Sequence, residues 1–335
     1  MNIDLPMVWA GIIALGLFLY VMLDGFDLGI GLIFPFFEKS SERQVLLNTV
    51  APVWDGNETF MVLGGAGLYG AFPVAYATLL PANYLPVVLM LAGLIFRGAA
   101  FELRGKAKRS LPLWDLAFIF GSVQATFFQG VLLGSLLQGI KIHNGQFVGA
   151  AFDWMSPFSI FCGLGLMFTY AVLGCGWLII KTDGMLQERM YALMKPLTFI
   201  LLGVIMVVSA WTALGQPTVA QRWFTGHNLL YFLPVPLLVL VSVWGIFRAV
   251  DMRIEAAPFR LALLLLFLGY TGFIISIWPN IIPPSLTIWE ASATHSSQLF
   301  SLVGTVIILP IILVYSYMQY RVFRGKVREG DHGYH

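Results

Sequence analysis

Charge is scarce in this chain: only 11% of its 335 residues are Asp, Glu, Lys or Arg, against roughly 25% in an ordinary soluble domain. Cysteine is nearly absent. Cys162 and Cys175 lie in one apolar stretch, and on a helix they would sit roughly 20 Å apart, too far to pair. There is no CxxC, no cysteine cluster and no glycine-rich cradle after a strand, which excludes iron–sulfur, zinc-ribbon and nucleotide-loop chemistry. Histidine is just as thin. His143, His227 and His295 fall in segments expected to be loops, and His332 and His335 in a polar tail. A helical bundle that ligates haem, copper or zinc usually presents histidine from inside its spans, so none of these groups is expected on this chain. The thirteen methionines are read as flexible packing in an apolar interior. A formal net charge of +2 gives no reason to expect nucleic acid as a partner.

What the chain has in abundance is apolar surface: 59% of its residues are hydrophobic and its mean hydropathy is +0.83. Runs near twenty residues, enough to cross a bilayer core of roughly 30 Å as a helix, recur from end to end. The expected architecture is an all-α integral membrane protein forming one polytopic domain over 1–335. Its nine helices are expected near 7–36, 52–80, 85–101, 114–138, 157–180, 196–214, 229–247, 260–278 and 299–320. The first apolar segment has no basic residue before it and runs too long for a secretory leader, so it is read as a retained helix. With the amino terminus periplasmic and the carboxyl terminus cytoplasmic, every Lys and Arg except Lys141 and Arg222 falls on the inner side. Such asymmetry is what insertion into a bacterial inner membrane selects.

Carboxylates inside apolar spans are costly, by about 2.5–3.5 kcal/mol on insertion scales, and default to a functional reading. Asp24 and Asp27 are spaced i, i+3 on the first helix among Gly25, Gly29 and Gly31, which let a neighbouring backbone come close. Asp55, Asn57 and Glu58 follow Pro52, a residue suited to a helix start, where the dipole favours negative charge. All five gather toward the inner side, from which a proton-consuming reaction would draw protons. The competing reading is that these groups pair with Arg97, Arg104 or backbone amides and only fix packing. Arg97, Glu102 and Arg104 are read as a snorkelling helix end, and Glu290 as a solvated loop residue. Trp54, Trp278 and Trp289 are placed at interfaces, where indoles collect.

Five strings together resemble subunit II of the cytochrome bd-type quinol oxidases, including the cyanide-insensitive branch: LDGFDLG (Leu23 to Gly29), APVWDGNETF (Ala51 to Phe60), FRGAAFELRGK (Phe96 to Lys106), WDLAFIFGS (Trp114 to Ser122) and PPSLTIWEASA (Pro283 to Ala293). They occur in the family's order over nearly the whole chain. Thr59, Phe60 and Glu290 depart from the usual family residues. The resemblance implies nine helices and a role in coupling quinol oxidation to reduction of oxygen to water. It also implies haems b and d (or a third b) held by a partner, the haem-bearing subunit I, which this chain scaffolds. It further implies a cytoplasmic proton path along the contact of the two large subunits, to which Asp55 contributes; Asp24, Asp27, Asn57 and Glu58 are expected beside it from their own positions. Membrane quinol, a small single-helix subunit and a structural quinone are the other partners known among such complexes. From a different class, an ion-coupled secondary transporter also suits buried carboxylates, but no span shows the paired central breaks that such sites use.

Overall fold

The computed structural model describes residues 4–143, 145–226 and 228–330, the side chain of Leu229 excepted. Asn144, His227, His332 and His335 lie outside the described residues. The described chain folds as helices α1 (Leu5–Ile33), α2 (Ser40–Asn48), α3 (Trp54–Ala71), α4 (Pro73–Ala82), α5 (Tyr84–Arg104), α6 (Leu111–Gln138), α7 (Pro157–Lys181), α8 (Gly184–Gly215), α9 (Pro217–Phe224), α10 (Asn228–Phe232), α11 (Pro234–Asp251), α12 (Ala256–Ile277) and α13 (His295–Val322). Two short hairpins, β1 (Ile142–His143) with β2 (Gln146–Phe147) and β3 (Asn280–Ile282) with β4 (Leu286–Thr287), close the same end of the bundle. The opposite end carries α2, most of the basic residues and the tail; these are the hairpin end and the basic end below.

Eight of these helices are long and apolar enough to cross a membrane, and the pair α3–α4 makes a ninth crossing if counted as one. That pair corrects the continuous helix expected over 52–80: α3 stops at Ala71 and α4 leaves at 119°. Proline explains the break, because Pro73 has no N–H to donate and its ring drives the preceding Phe72 out of the helical region, to φ −132 ψ 63. The Ala71 carbonyl is satisfied instead by Ala293 N at 2.8 Å and Gln298 Nε2 at 3.1 Å. Two other boundaries also move. The helix expected at 196–214 begins at Gly184 and runs through Pro196, since a helix reaching the aqueous edge need not be apolar there. The span expected at 229–247 starts at Pro234, with α10 as a separate short turn before it. The segment 283–297 is a loop only as far as Thr294, so His295 opens α13.

Helix α7 is the axis of the bundle: 61% of its apolar window is buried, against 6% for α13 on the rim. It starts with a capping box, Ser156 accepting from Ser159 N and Ser159 Oγ from Ser156 N. Its neighbours α1, α6, α8 and α12 pack around it. Glycine permits the tightest of these contacts. A Cβ on Gly29 of α1 would collide with the Tyr170 carbonyl, and one on Gly174 of α7 would lie 2.6 Å from the Gly29 backbone, so the two backbones touch directly.

Candidate functional site

Helix α1 sets the site. Tyr20, Asp24, Asp27 and Gly31, at i, i+4, i+7 and i+11, form one stripe along it. Both aspartates have no exposure at all, and Asp24 lies about 14 Å from the end of α1 at 1.5 Å per residue. Arg97, projected from α5 and likewise fully buried, bridges two of the carboxylates: its Nη1 donates to Asp24 at 2.5 Å and its Nη2 to Glu58 of α3 at 2.8 Å. Trp54, one turn before Glu58, stacks on Phe101 at 5.1 Å and covers the guanidinium at 6.0 Å. A low-dielectric interior strengthens such charge-assisted bonds and makes an unpaired charge expensive.

Two hydrogen-bonded arms flank this centre. Asn57 Nδ2 donates to Asp27 at 2.7 Å and its Oδ1 accepts from the Tyr320 hydroxyl of α13 at 2.7 Å. On the other side the Tyr170 hydroxyl donates to Gln129 Oε1 at 2.8 Å, and Gln129 Nε2 donates to the Tyr20 hydroxyl at 2.6 Å. Asp27 therefore has an amide for company and no direct cation. Three carboxyl groups thus gather around one guanidinium that pairs with two of them, and a buried net charge is strongly disfavoured.

Of the five residues expected to form the site, Asp24, Asp27, Asn57 and Glu58 come together. Asp55 does not: it is exposed on the opening turn of α3, three residues before the half-buried Glu58. Pro52 lies just ahead of α3, and its carbonyl accepts from Gln319 Nε2. Arg97 is no snorkelling end but the buried hub. Tyr20, Gln129, Tyr170 and Tyr320 were not singled out in the sequence. A Gln on an otherwise apolar face at helical spacing was the available signal.

A second buried cluster, at the basic end, does fit the packing account. Arg104 donates to Asp115 at 2.5 Å, Arg43 reaches the other Asp115 oxygen at 2.8 Å, and Arg104 also binds Gln44. Both guanidinium groups lie over the Phe34 ring, at 5.9 and 5.2 Å. This clamp ties α2 to α5 and α6. Glu290, exposed, accepts from Thr287 N and Oγ1 at 2.9 and 2.7 Å, which holds its carboxylate below the usual range and closes the turn in which it lies. The adjacent Trp289 donates to the Asp4 carboxylate at 3.0 Å.

Among the described residues no three His, Cys, Asp or Glu side chains are grouped to hold a metal. His143 sits in β1 and His295 at the start of α13, both exposed at the hairpin end, so neither presents a haem ligand to the bundle. Both cysteines are free.

Residues 5–323 match the family model described as cytochrome bd terminal oxidase subunit II. The chain is 29% identical to cytochrome bd ubiquinol oxidase subunit 2 of Bacillus subtilis, over 97% of this chain and 96% of that one. It is 27% identical to cytochrome bd-I ubiquinol oxidase subunit 2 of Escherichia coli, over 98% and 96%. In fold it resembles a chain of the bd oxidase from Geobacillus thermodenitrificans, with a TM-score of 0.78 at 18% identity over 96% of this chain and 99% of that one.

Proposed function

Because the chain belongs to the cytochrome bd terminal oxidase subunit II family, we propose that, within such a membrane quinol oxidase of the bacterial inner membrane, it scaffolds the haem-bearing subunit I and conducts protons inward from the cytoplasm. The single observation that carries the proton role is the gathering of Asp24, Asp27 and the half-buried Glu58 around Arg97. A purely structural ion pair needs one carboxylate per guanidinium; the excess acids make sense as groups that carry and release protons. The order of exposure supports a direction. Asp55 is exposed at the α3 start, Glu58 is half-buried three residues on, and Asp24 and Asp27 are enclosed. Asp55 would take up a proton, Glu58 pass it, and the aspartates hold it next to the oxygen-reducing subunit.

The haems, b and d or a third b, would belong to subunit I and supply the electron and oxygen chemistry there; this chain's residues hold and move protons. Oxidation of quinol and reduction of oxygen to water are the activity of the complex. A structural quinone or a small single-helix subunit remains an expectation from the family resemblance. The whole chain, 1–335, would act as one polytopic domain with a periplasmic amino terminus and a cytoplasmic carboxyl terminus. Supporting that orientation, both basic residues of the hairpin end have local partners: Lys141 pairs with Asp153 at 3.3 Å, and Arg222 caps α12 through the Ile275 carbonyl at 2.8 Å.

The test is oxygen consumption per haem across pH in the intact complex carrying Asp55→Asn, Glu58→Gln or Asp27→Asn. Each variant should assemble with normal haem content and turn over slowly, Asp55→Asn losing more as pH rises and protons become scarce, with Asp55→Glu recovering part of the rate. Wild-type turnover per haem in all three, with only the amount of complex reduced, would leave them a packing role alone.

A further inference from the structure

Several hydroxyls within the membrane helices of this chain bond to the carbonyl one turn back, as those of Thr169, Thr198, Ser242, Ser276 and Thr305 do. Ser122 and Thr126 of α6 do not, and unlike Ser316 of α13, whose hydroxyl is also buried and unpartnered, they lie on the helix that faces the carboxyl stripe of α1. Both are wholly buried, and neither hydroxyl makes a hydrogen bond to any described residue. Asp24 Oδ2, Asp27 Oδ1 and Arg97 Nε are buried and unpartnered in the same way. Roughly 90% or more of buried polar groups find a partner, so five orphans around one cluster call for a common explanation.

The register of α1 against α6 shows that they face one another. Ser122, Thr126 and Gln129, at i, i+4 and i+7, make one stripe on α6. Gln129 is bonded to Tyr20 at one end of the α1 stripe. At the other end a Cβ on Gly31 would strike Ser122 Oγ. Asp24 and Asp27 lie between Tyr20 and Gly31, and so opposite the stretch that carries Thr126. No direct hydrogen bond among the described residues joins the arm of Asp24, Arg97 and Glu58 to that of Asp27, Asn57 and Tyr320. Toward the basic end, the fully buried rings of Phe34 and Phe118, 5.0 Å apart, close the stripe off.

We propose that Ser122 and Thr126 hold internal water that links Asp24 to Asp27, so that the two arms of the cluster exchange a proton through it. Water suits the site, with two hydroxyls and two carboxyl oxygens as donors and acceptors in a polar enclosure. In the step, the O–H bond of the protonated carboxyl breaks as its proton passes to the water oxygen. A water O–H bond breaks in turn and its proton joins the other carboxylate, with no net charge created. Besides the aspartates, the ionisable groups around the link are Tyr20 on α1, Glu58 on α3, Arg97 on α5, Tyr170 on α7 and Tyr320 on α13. Ser122 and Thr126 are thus positioning residues, and the inference rests on the proton-carrying role of the carboxyl cluster.

The experiment uses the intact oxidase complex. A density map fine enough to show water should place ordered density within hydrogen-bond reach of Ser122 Oγ and Thr126 Oγ1. The double variant Ser122→Ala/Thr126→Val should keep its haem content while turnover per haem falls about tenfold, the worth of one lost hydrogen bond in a transfer step. Its pH profile should move to lower pH, and Thr126→Ser should keep the wild-type rate. If the double variant matches wild type in rate and profile while Asp27→Asn is slow, the water link is wrong and the carboxyl pathway stands. If Asp27→Asn is also at wild-type rate, both readings fall. Should the double variant not assemble, the map decides, and an absence of ordered density at the two hydroxyls overturns the proposal.

Discussion

Arg97 shows how much one side chain can hold. It bridges carboxylates from α1 and α3 and belongs to a third helix, α5, so Arg97→Leu strands two buried acids at once. Removing one partner of a buried pair costs about 3–5 kcal/mol, and we expect little assembled complex, read as haem recovered per membrane protein. Adding Asp24→Asn to Arg97→Leu should restore part of the yield, because the stranded charge is gone. Arg97→Lys should assemble but melt lower, since one ammonium cannot reproduce the two-pronged contact. The acidic members were legible in the sequence, because a carboxylate inside an apolar run announces its own cost. Arg97 was misread because an arginine four residues before the helix end expected at 101 suits snorkelling equally well. What forbids snorkelling is that its partners, Asp24 and Glu58, come from helices distant in sequence.

Among the elements, α1 and α7 depend on absent side chains. Gly29→Ala places a methyl group against the Tyr170 carbonyl, where backbone rather than a movable side chain must yield. A loss of at least about 1–3 kcal/mol is expected, seen as a lower melting temperature of the purified complex, whereas Gly11→Ala on the same helix, with nothing within 4 Å, should be neutral. The peripheral α13 is held at its basic end by the tail: Val327 N donates to the Lys181 carbonyl at 2.8 Å, and Lys326 pairs with Glu255 at 2.6 Å. The Lys326 contact, with help from Gln187, holds Glu255 below the usual glutamate range. A depressed folded value means that this contribution is present above the ordinary Glu range and is lost as pH falls below it. Being half-exposed and screened, it amounts to about 1 kcal/mol at most. The protection factor of the Val327 amide should therefore fall below about pH 4, and Lys326→Ala should show the lower protection at neutral pH too. The long helices were readable from hydropathy, but α2, α9 and the α3–α4 break were not. Short polar helices lack an apolar run, and a single proline does not say whether a span kinks or turns away.

For the whole molecule, orientation is the property with the widest consequences. An impermeant thiol reagent should label Gln146→Cys, exposed at the start of β2, from the periplasmic side and Glu329→Cys in the tail only after the membrane is opened. The reverse pattern would invert the topology and move the carboxyl cluster to the wrong side for cytoplasmic proton uptake. The chain expressed without subunit I should show no haem Soret band, because neither described histidine enters the bundle. A stoichiometric band would mean that a methionine, or a histidine outside the described residues, serves as ligand.

Hydropathy, the scarcity of charge and the strings around Asp24, Asp55 and Arg97 determined the membrane class, the approximate spans and the family, because each is a local property: a run's length, a residue's transfer cost, a motif's order. Which acid meets which base was decided only by tertiary packing. Asp24 found Arg97 seventy-three positions away, and Asn57 found Tyr320 at a separation of 263. Asp55, the residue the motif put first, was left on the surface of the chain while its neighbours turned inward. Helical periodicity allots a face to every residue, but the partner opposite that face depends on how separate helices dock, and here glycine contacts and a proline break set that docking.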